Sequence, residues 1–524
     1  MPTLKWIGKD KIINYHNEVP FRSLNEKREY SINGNETENL LIKGDNLEAL
    51  KALLPYYYNR VKVIYIDPPY NTGNEKWIYN DNVNSPEIKK WLGKVVGGEA
   101  EDLSRHDKWL CMMMPRLRLL KELLSDDGVI CISIDDTEFA NIMHLMDEVF
   151  DERNKEEIIC WRRRHNQPND KSKAISKVAE FIVVYAKNLR YLKARRAFHG
   201  IPLTGNFTNP DNDPKGDWAS KPWKAGSNQT GSRYTITTPT GKVLDEEWLG
   251  AEPTYRTYLA EGRMYFPRGG DGYPRKKYYK FEREDERQCA HNFWGHQDFG
   301  SNQEASEEIK AIGIEFDNPK PVRLINALLS IFSDKDSIII DSFAGSGTTG
   351  HAVLQLNKQD GGKRKFILVE LEDEIAERVT AQRLKRIIQG YSYRKTEGQK
   401  VKVEGLGGGF KFLKLGKPLF DKHKQIIGEP SYEDLAGYIY FTETHHTVDW
   451  GKANRDDWYV GENNGVRYFI IYGGKNELSE EFLEIARRYH GNKVVYADAV
   501  MIDDDELERF DIMFKQIPYE IRIF

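Results

Sequence analysis

The feature that most limits the fold is a strand–turn–helix–strand unit near residue 340. In DSIIIDSFAGSGTTGHAVLQL, residues Ile338, Ile339 and Ile340 read as a buried strand. Gly345 and Gly347 permit a tight turn with close backbone approach, and a helix beginning near Thr348 presents bare N–H groups. KFILVEL follows as a second strand ending in Glu370. The turn itself, Phe343-Ala344-Gly345-Ser346-Gly347-Thr348-Thr349, is shaped to cradle a nucleotide-like cofactor, with Glu370 spaced to meet ribose hydroxyls. No Gly-Lys-Ser/Thr follows, so it is not a P-loop. Alone, it suits NAD, a flavin or S-adenosylmethionine, or simply packs a helix on a sheet.

A second motif narrows the choice. Asp67-Pro68-Pro69-Tyr70 ends the strand-like run VKVIYI and continues as Asn71-Thr72-Gly73. The amino group of a nucleobase is a poor nucleophile, because its lone pair is delocalised into the ring. A carboxylate (Asp67) and a backbone carbonyl (Pro68) that each accept one of its N–H bonds would draw the nitrogen towards tetrahedral geometry. Two successive prolines fix φ and hold both acceptors in place. Tyr70 offers a flat face for stacking, worth roughly 1–3 kcal/mol per base. A duplex base must be flipped out to reach such a pocket. The plainer reading is a Pro-Pro turn closing a buried strand, with Asp67 as a cap. Pairing with the glycine turn favours the chemical reading and selects S-adenosylmethionine. The transferred methyl must lie in line with the amine, so both motifs belong at the carboxyl edge of one parallel sheet. The sulfonium is already an activated leaving group, so no metal is required for methylation.

Length and charge are consistent with this. The 524 residues suggest two to four domains, and 39% hydrophobic content supports real cores. Net charge is only −4, but residues 158–300 hold 25 Lys and Arg against 16 Asp and Glu, a local +9 that suggests contact with phosphates. Cys111, Cys131, Cys160 and Cys289 show no CxxC spacing and read as reduced core thiols of a cytosolic protein. No run approaches a membrane span, and the start MPTLKWIGKD has no signal-peptide core.

Along the chain, residues 1–35 are polar and irregular and read as an N-terminal arm. DNLEALKALLPYY reads as a helix, 74–106 as a polar loop near the site, and KWLCMMMPRLRLLKELL as a core helix. GVICISI is a strand, after which Asp136 or Thr137 would cap a helix running to Phe150. From 158 to 305 short strands and loops rich in Trp, Tyr, Lys, Arg, Asn and Gln suggest a target-recognition domain that could read base edges. A helix then closes at Gly390, and EGLGGGF reads as a linker. Residues 401–524 alternate strands and helices without a catalytic cluster, which suggests an interaction or dimerisation domain. His445 and His446 lack further ligands at zinc spacing.

The chain resembles the modification (Mod) subunits of type III restriction-modification systems, β-group N6-adenine DNA methyltransferases. The matching stretches include LLIKGDNLEALKALLP, VKVIYIDPPYNTGNEKWIYND, FIVVYAK, FDNPKPVRLINALL and DSFAGSGTTGHAVLQLN. In that group the catalytic motif precedes the cofactor turn and a target-recognition region lies between them, as here. The resemblance implies a Rossmann-like α/β methyltransferase fold with circularly permuted motif order, an inserted loop-rich recognition domain and a small C-terminal α+β domain. The corresponding boundaries are 36–157 and 306–400 for the two halves of the methyltransferase domain.

By the same resemblance Asp45 contacts the adenine of the cofactor, and Lys320-Pro321 covers its methionine moiety. Asp341-Ser342 replaces the usual Asp-Pro before the glycine turn, and Asn318-Pro319-Lys320-Pro321 departs from Thr-x-Lys-Pro. The implied partners are double-stranded DNA, a second copy of the chain and a restriction (Res) ATPase/nuclease subunit. Cytosine-N4 methylation, a DNA-recognition subunit without methylation activity, and methylation of RNA or protein stand as alternatives.

Overall fold

The computed structural model describes residues 4–72, 93, 104–166, 171–172, 174–202, 207–283, 286–394, 398–421, 423 and 425–521. Two compact units emerge, one formed by Met1–Phe198 with His291–Phe524 and one by His199–Ala290.

The first unit is built on a ten-stranded sheet. In chain order its strands are β1 (Arg22–Glu26), β2 (Leu40–Lys43), β3 (Val61–Ile66), β4 (Leu124–Ile134), β5 (Lys155–Arg162) and β6 (Ala179–Ala186). Then come β7 (Phe293–Trp294), β8 (Ile338–Asp341), β9 (Lys365–Glu370) and β10 (Lys411–Pro418). They lie in the order β1-β10-β2-β9-β8-β3-β4-β6-β5-β7. From β10 to β4 every neighbouring pair is parallel, whereas β6 is antiparallel to both β4 and β5. The central strands are apolar along their length, as strands covered on both faces must be. All six residues of β3 are buried, and even Lys62 is paired, with Asp127 at 3.0 Å.

Three helices share a hydrophobic core cluster with β3 and β4. Helix α1 (Asn46–Tyr57) starts at Asp45, whose side chain accepts the N–H of Leu47. Helix α2 (Arg105–Leu123) starts in a reciprocal capping box between Ser104 and Asp107. Its run Met112, Met113 and Met114 is buried, core as the helical spacing indicates. Helix α3 (Phe139–Phe150) differs from expectation at its start. Neither Asp136 nor Thr137 caps it; Glu138 occupies that position and makes no capping bond, and Asp135 accepts the N–H of Thr137. Glu138 is instead fully buried and accepts from His106 (2.7 Å), Asn141 (2.6 Å) and Asn71.

The glycine turn leads from β8 into α5 (Thr348–Asp360), preceded in the chain by α4 (Val322–Phe332). The helix expected over DEIAERVTAQRLKRIIQ is interrupted by a π-helical turn at Ala376–Thr380, then continues as α6 (Ala381–Gln389), with Gly390 at φ 89° ending it. At the end of this turn Thr380 donates its hydroxyl to the carbonyl of Gly345 at 2.6 Å.

Several boundaries read from sequence acquire a physical shape. Part of the polar segment 1–35 is β1, paired with β10. Residues 158–198 give β6 and most of β5 to the large sheet. The 401–524 region supplies β10 and then a four-stranded sheet, 459–463, 466–470, 493–497 and 512–516, with helices Tyr432–Thr444 and Glu480–Ala486. The loop expected over 74–106 lies outside the described residues except at 93 and 104–106.

The second unit, considered alone, is a small β-rich body. Strands Trp218–Pro222, Met264–Tyr265 and Arg275–Tyr279 form one antiparallel sheet, and Ser232–Thr237 with Val243–Trp248 form a hairpin. Trp223, Trp248, Ile236 and Tyr255 lie in its core. Its sequence holds 14 Lys and Arg against 13 Asp and Glu, so the +9 excess of 158–300 resides in 158–198, where 11 basic residues face 2 acidic ones. Among the described residues, no helix is long and apolar enough to cross a membrane.

Gly350 sets how closely α5 docks on β9. A Cβ there would meet Leu384 Cδ2 at 2.9 Å and Leu368 Cδ1 at 3.1 Å. Overpacking of this kind costs about 1–3 kcal/mol. Gly350→Val is therefore expected to lower the melting temperature by several degrees in differential scanning calorimetry; an unchanged melting temperature would contradict the packing described.

Candidate active site

The parallel pairing of β3 with β8 (Val63 opposite Ile339, Ile64 opposite Ile340) aligns their carboxyl ends. Asp67-Pro68-Pro69-Tyr70 leaves β3 at the edge where Asp341 leads into the glycine turn. An open cavity lies there, lined by Tyr65 and Asp67 from one side and by Asp341, Phe343, Ala344, Gly345, Ser346 and Thr348 from the other. Thr349, Phe316, Asn318, Pro319 and Lys320 complete the lining. Residues far apart in sequence are thus brought to one place, as the in-line geometry of transfer requires.

The turn is held from several sides. Gly345 and Gly347 have φ of 50° and 78°, the left-handed region that glycine enters at little cost. The N–H of Gly345 donates to Glu370 Oε2 at 2.8 Å, and Glu370 Oε1 accepts the N–H of Glu372. The Glu370 carboxylate thus braces the turn from β9. Behind the turn lies Arg383 of α6, fully buried, which donates to Ser346 Oγ (3.0 Å) and Thr348 Oγ1 (2.9 Å) and pairs with Glu308. Thr348 in turn donates to the carbonyl of Lys320, tying the Asn318–Pro321 segment to the turn.

The acceptor loop is anchored separately. Trp109 Nε1 donates to the carbonyl of Pro69 at 2.6 Å, and Asn71, at φ 57°, donates to Glu138. Pro68 is buried.

Around Asp67 the charges interlock. Lys320 Nζ donates to Asp67 Oδ2 at 2.6 Å and to the Tyr70 hydroxyl at 2.8 Å. The Tyr70 hydroxyl lies 2.8 Å from Asp67 Oδ1 and 3.1 Å from Glu180 Oε2, so its proton is shared between two carboxylates. Arg163 pairs with Glu180 at 2.9 Å. Burial, reinforced by Asp67 and Glu180, pushes the Tyr70 hydroxyl well above its usual range, so it remains a donor. Burial works against the Lys320 ammonium, but Asp67 and Glu180 outweigh it and hold the group above its usual value.

Of the expected residues, Pro68, Pro69, Tyr70, Gly347, Glu370, Asp45 and Pro321 are not among those that line the cavity. Asp45 sits at the same edge, after β2, but its carboxylate caps α1 and pairs with Arg116 at 3.1 Å, and it is not among the lining residues. Pro321 is the residue before α4, next to Lys320, and also lies outside the lining. Sequence reasoning missed Glu180, Arg163, Trp109, Glu138 and Arg383. An acidic residue heading the apolar run FIVVYA was the available signal for Glu180. That β6 runs antiparallel, and so delivers its first residues to this edge, is not written in a local pattern.

Asp341 carries the clearest titration. Burial pushes its carboxyl from 3.8 up to about 7, with Asp67 and Glu370 adding repulsion; bonds from Thr349 and the Phe343 N–H act the other way. A raised acid is protonated more readily in the folded chain than in the unfolded one. Its contribution to stability is therefore present at low pH and is lost as pH rises from about 4 to about 7. Asp341→Asn removes that loss while keeping an acceptor for the Phe343 N–H. It is expected to melt a few degrees above the wild type at pH 8, with the difference shrinking towards pH 4, as read by scanning calorimetry across pH; a constant difference would contradict the assignment.

Comparison with known proteins agrees with this geometry. The sequence model of the DNA methylase family matches residues 61–382. The Mod subunit of the type III restriction-modification enzyme StyLTI from Salmonella typhimurium is 35% identical, over 66% of this chain and 54% of that protein. The Mod subunit of EcoPI from Escherichia phage P1 is 31% identical, over 71% of this chain and 64% of that protein. That of EcoP15I from Escherichia coli is 29% identical, again over 71% and 64%. The chain thus spans about half to two thirds of the length of these relatives. With the matched segment running from the acceptor strand β3 through the glycine turn to α6, the chain belongs to the DNA methylase family.

Proposed function

We propose that the chain transfers a methyl group from S-adenosylmethionine to the N6 amine of a flipped-out adenine in duplex DNA. The observation that carries this reading is the shared cavity: the Asp67 carboxylate and the glycine turn line one space at the carboxyl edge of one sheet. The lining residues fit the cofactor. Asp67 and Asp341 supply two carboxylates against the single ammonium of Lys320, which favours a cationic ligand. When bound, S-adenosylmethionine supplies a methyl group on a sulfonium.

The chain's own residues do the rest. Asp67 and the Pro68 carbonyl accept the two N–H bonds of the amine, which frees its lone pair. Tyr70 stacks on the base, and its neutral hydroxyl orients Asp67 by donating to Oδ1. Trp109 and Glu138 fix the loop on either side of Tyr70, so the acceptors need no reorganisation when a base arrives. The same acceptors would serve the N4 amine of cytosine. The likeness to Mod subunits favours adenine.

By the same likeness the chain is the modification subunit of a type III system, acting in the cytoplasm as a dimer with a restriction subunit as partner. Residues 158–198, which hold the basic excess, are suited to phosphates, and the 199–290 unit is suited to base edges. The 401–524 region is the proposed contact between copies.

Asp67→Ala tests the reading. Methyl incorporation from labelled S-adenosylmethionine into duplex DNA is expected to fall at least about a hundredfold, the scale lost with one preorganised polar group at a reacting atom. Duplex binding in a gel-shift assay should be largely retained. Methylation at the wild-type rate would remove Asp67 from the chemistry.

A further inference from the structure

Both oxygens of Asp67 are engaged, Oδ2 by Lys320 and Oδ1 by Tyr70. An amine that donates to Asp67 needs the place that Lys320 holds. The Lys320 side chain is only 7% exposed, and a buried ammonium that loses its carboxylate is strongly destabilised. It therefore needs somewhere to go within the protein. Its side chain already reaches a second carboxylate: Glu180 Oε2 lies 3.7 Å from Lys320 Nζ and is 2% exposed. That oxygen also receives the Tyr70 hydroxyl, while the other is held by Arg163.

We propose that Glu180 is the second seat of the Lys320 ammonium. When the target amine donates to Asp67 Oδ2, Lys320 closes the gap to Glu180, and the Tyr70 hydroxyl, keeping its proton, donates to Asp67 Oδ1 alone. The movement is about 1 Å, from 3.7 Å to a charge-assisted contact near 2.8 Å. It exchanges partners within a set of two carboxylates, one ammonium and one guanidinium, so the buried charge stays balanced in both arrangements. Until a base arrives, Lys320 keeps Asp67 aligned by standing in for the amine. Glu180 is then a positioning residue that acts through Lys320. This inference rests on the reading of Asp67 as acceptor of the amine.

The test is steady-state methylation of duplex DNA by four proteins: wild type, Glu180→Gln, Lys320→Met and the double variant. With no second seat, Lys320 in Glu180→Gln stays on Asp67. kcat is expected to fall about tenfold or more, within the range of coupled neighbours, and KM for S-adenosylmethionine to stay within about twofold of wild type. Removing the ammonium as well should restore the rate, making the double variant about tenfold faster than Glu180→Gln. A double variant no faster than Glu180→Gln would overturn the proposal, because a purely structural Glu180 gives no such rescue. Should Glu180→Gln fail to show a cooperative melt, Glu180→Asp, alone and with Lys320→Met, carries the same criterion. Full methylation by Asp67→Ala would instead defeat the underlying reading, so the two failures are distinguishable.

Discussion

The parallel pairing of β3 with β8 is the constraint on which the site depends. These two strands come from opposite ends of the matched segment, and only their adjacency gives the acceptor loop and the glycine turn a common floor. Other contacts reinforce it. Asn46, at the start of α1, donates to the carbonyl of Ser342 at 2.9 Å, and the Gly345 N–H reaches Glu370 on β9. The helices packed on the sheet are apolar where they face it, so hydrophobic burial supplies the energy that holds a polar edge in one geometry.

That edge is expensive in charge. Asp67, Glu180, Asp341 and Glu370 are gathered at one edge where water is largely excluded. Lys320 and Arg163 compensate the pair nearest Tyr70. Asp341 has hydroxyl and backbone donors, and its carboxyl is held near 7. The contrast separates two carboxylates that line one cavity. A paired carboxylate remains an acceptor for an amine, whereas one held high can gain from a cation brought beside it. Such separation of neighbouring carboxylates by environment is a common way for a site to hold distinct roles.

Much of this was legible in the sequence because it is local. The strand VKVIYI, the helix from Asn46, the strand–turn–helix at 338–360 and the stop at Gly390 follow from apolar runs, a capping aspartate and glycines at positive φ. What was not legible depends on strand direction and on long-range pairing. Glu180 reaches the site only because β6 runs against its neighbours, and the polar segment near residue 22 becomes a strand only because β10 arrives from residue 411 onward. The charge argument shows the same limit. A basic middle was visible, but its division into a basic 158–198 and a nearly neutral 199–290 follows from where the chain leaves the large sheet. Lys320 was expected beside the cofactor and lines the cavity; that its ammonium also sits on Asp67 is a contact between residues that no local pattern could pair.

The most direct measurement is nucleoside mass spectrometry of unmodified duplex DNA incubated with the purified chain and S-adenosylmethionine. The account predicts N6-methyladenine, formed at a subset of adenines set by sequence. N4-methylcytosine without N6-methyladenine would contradict the assignment of the target amine, and no methylated base at all would contradict the central claim.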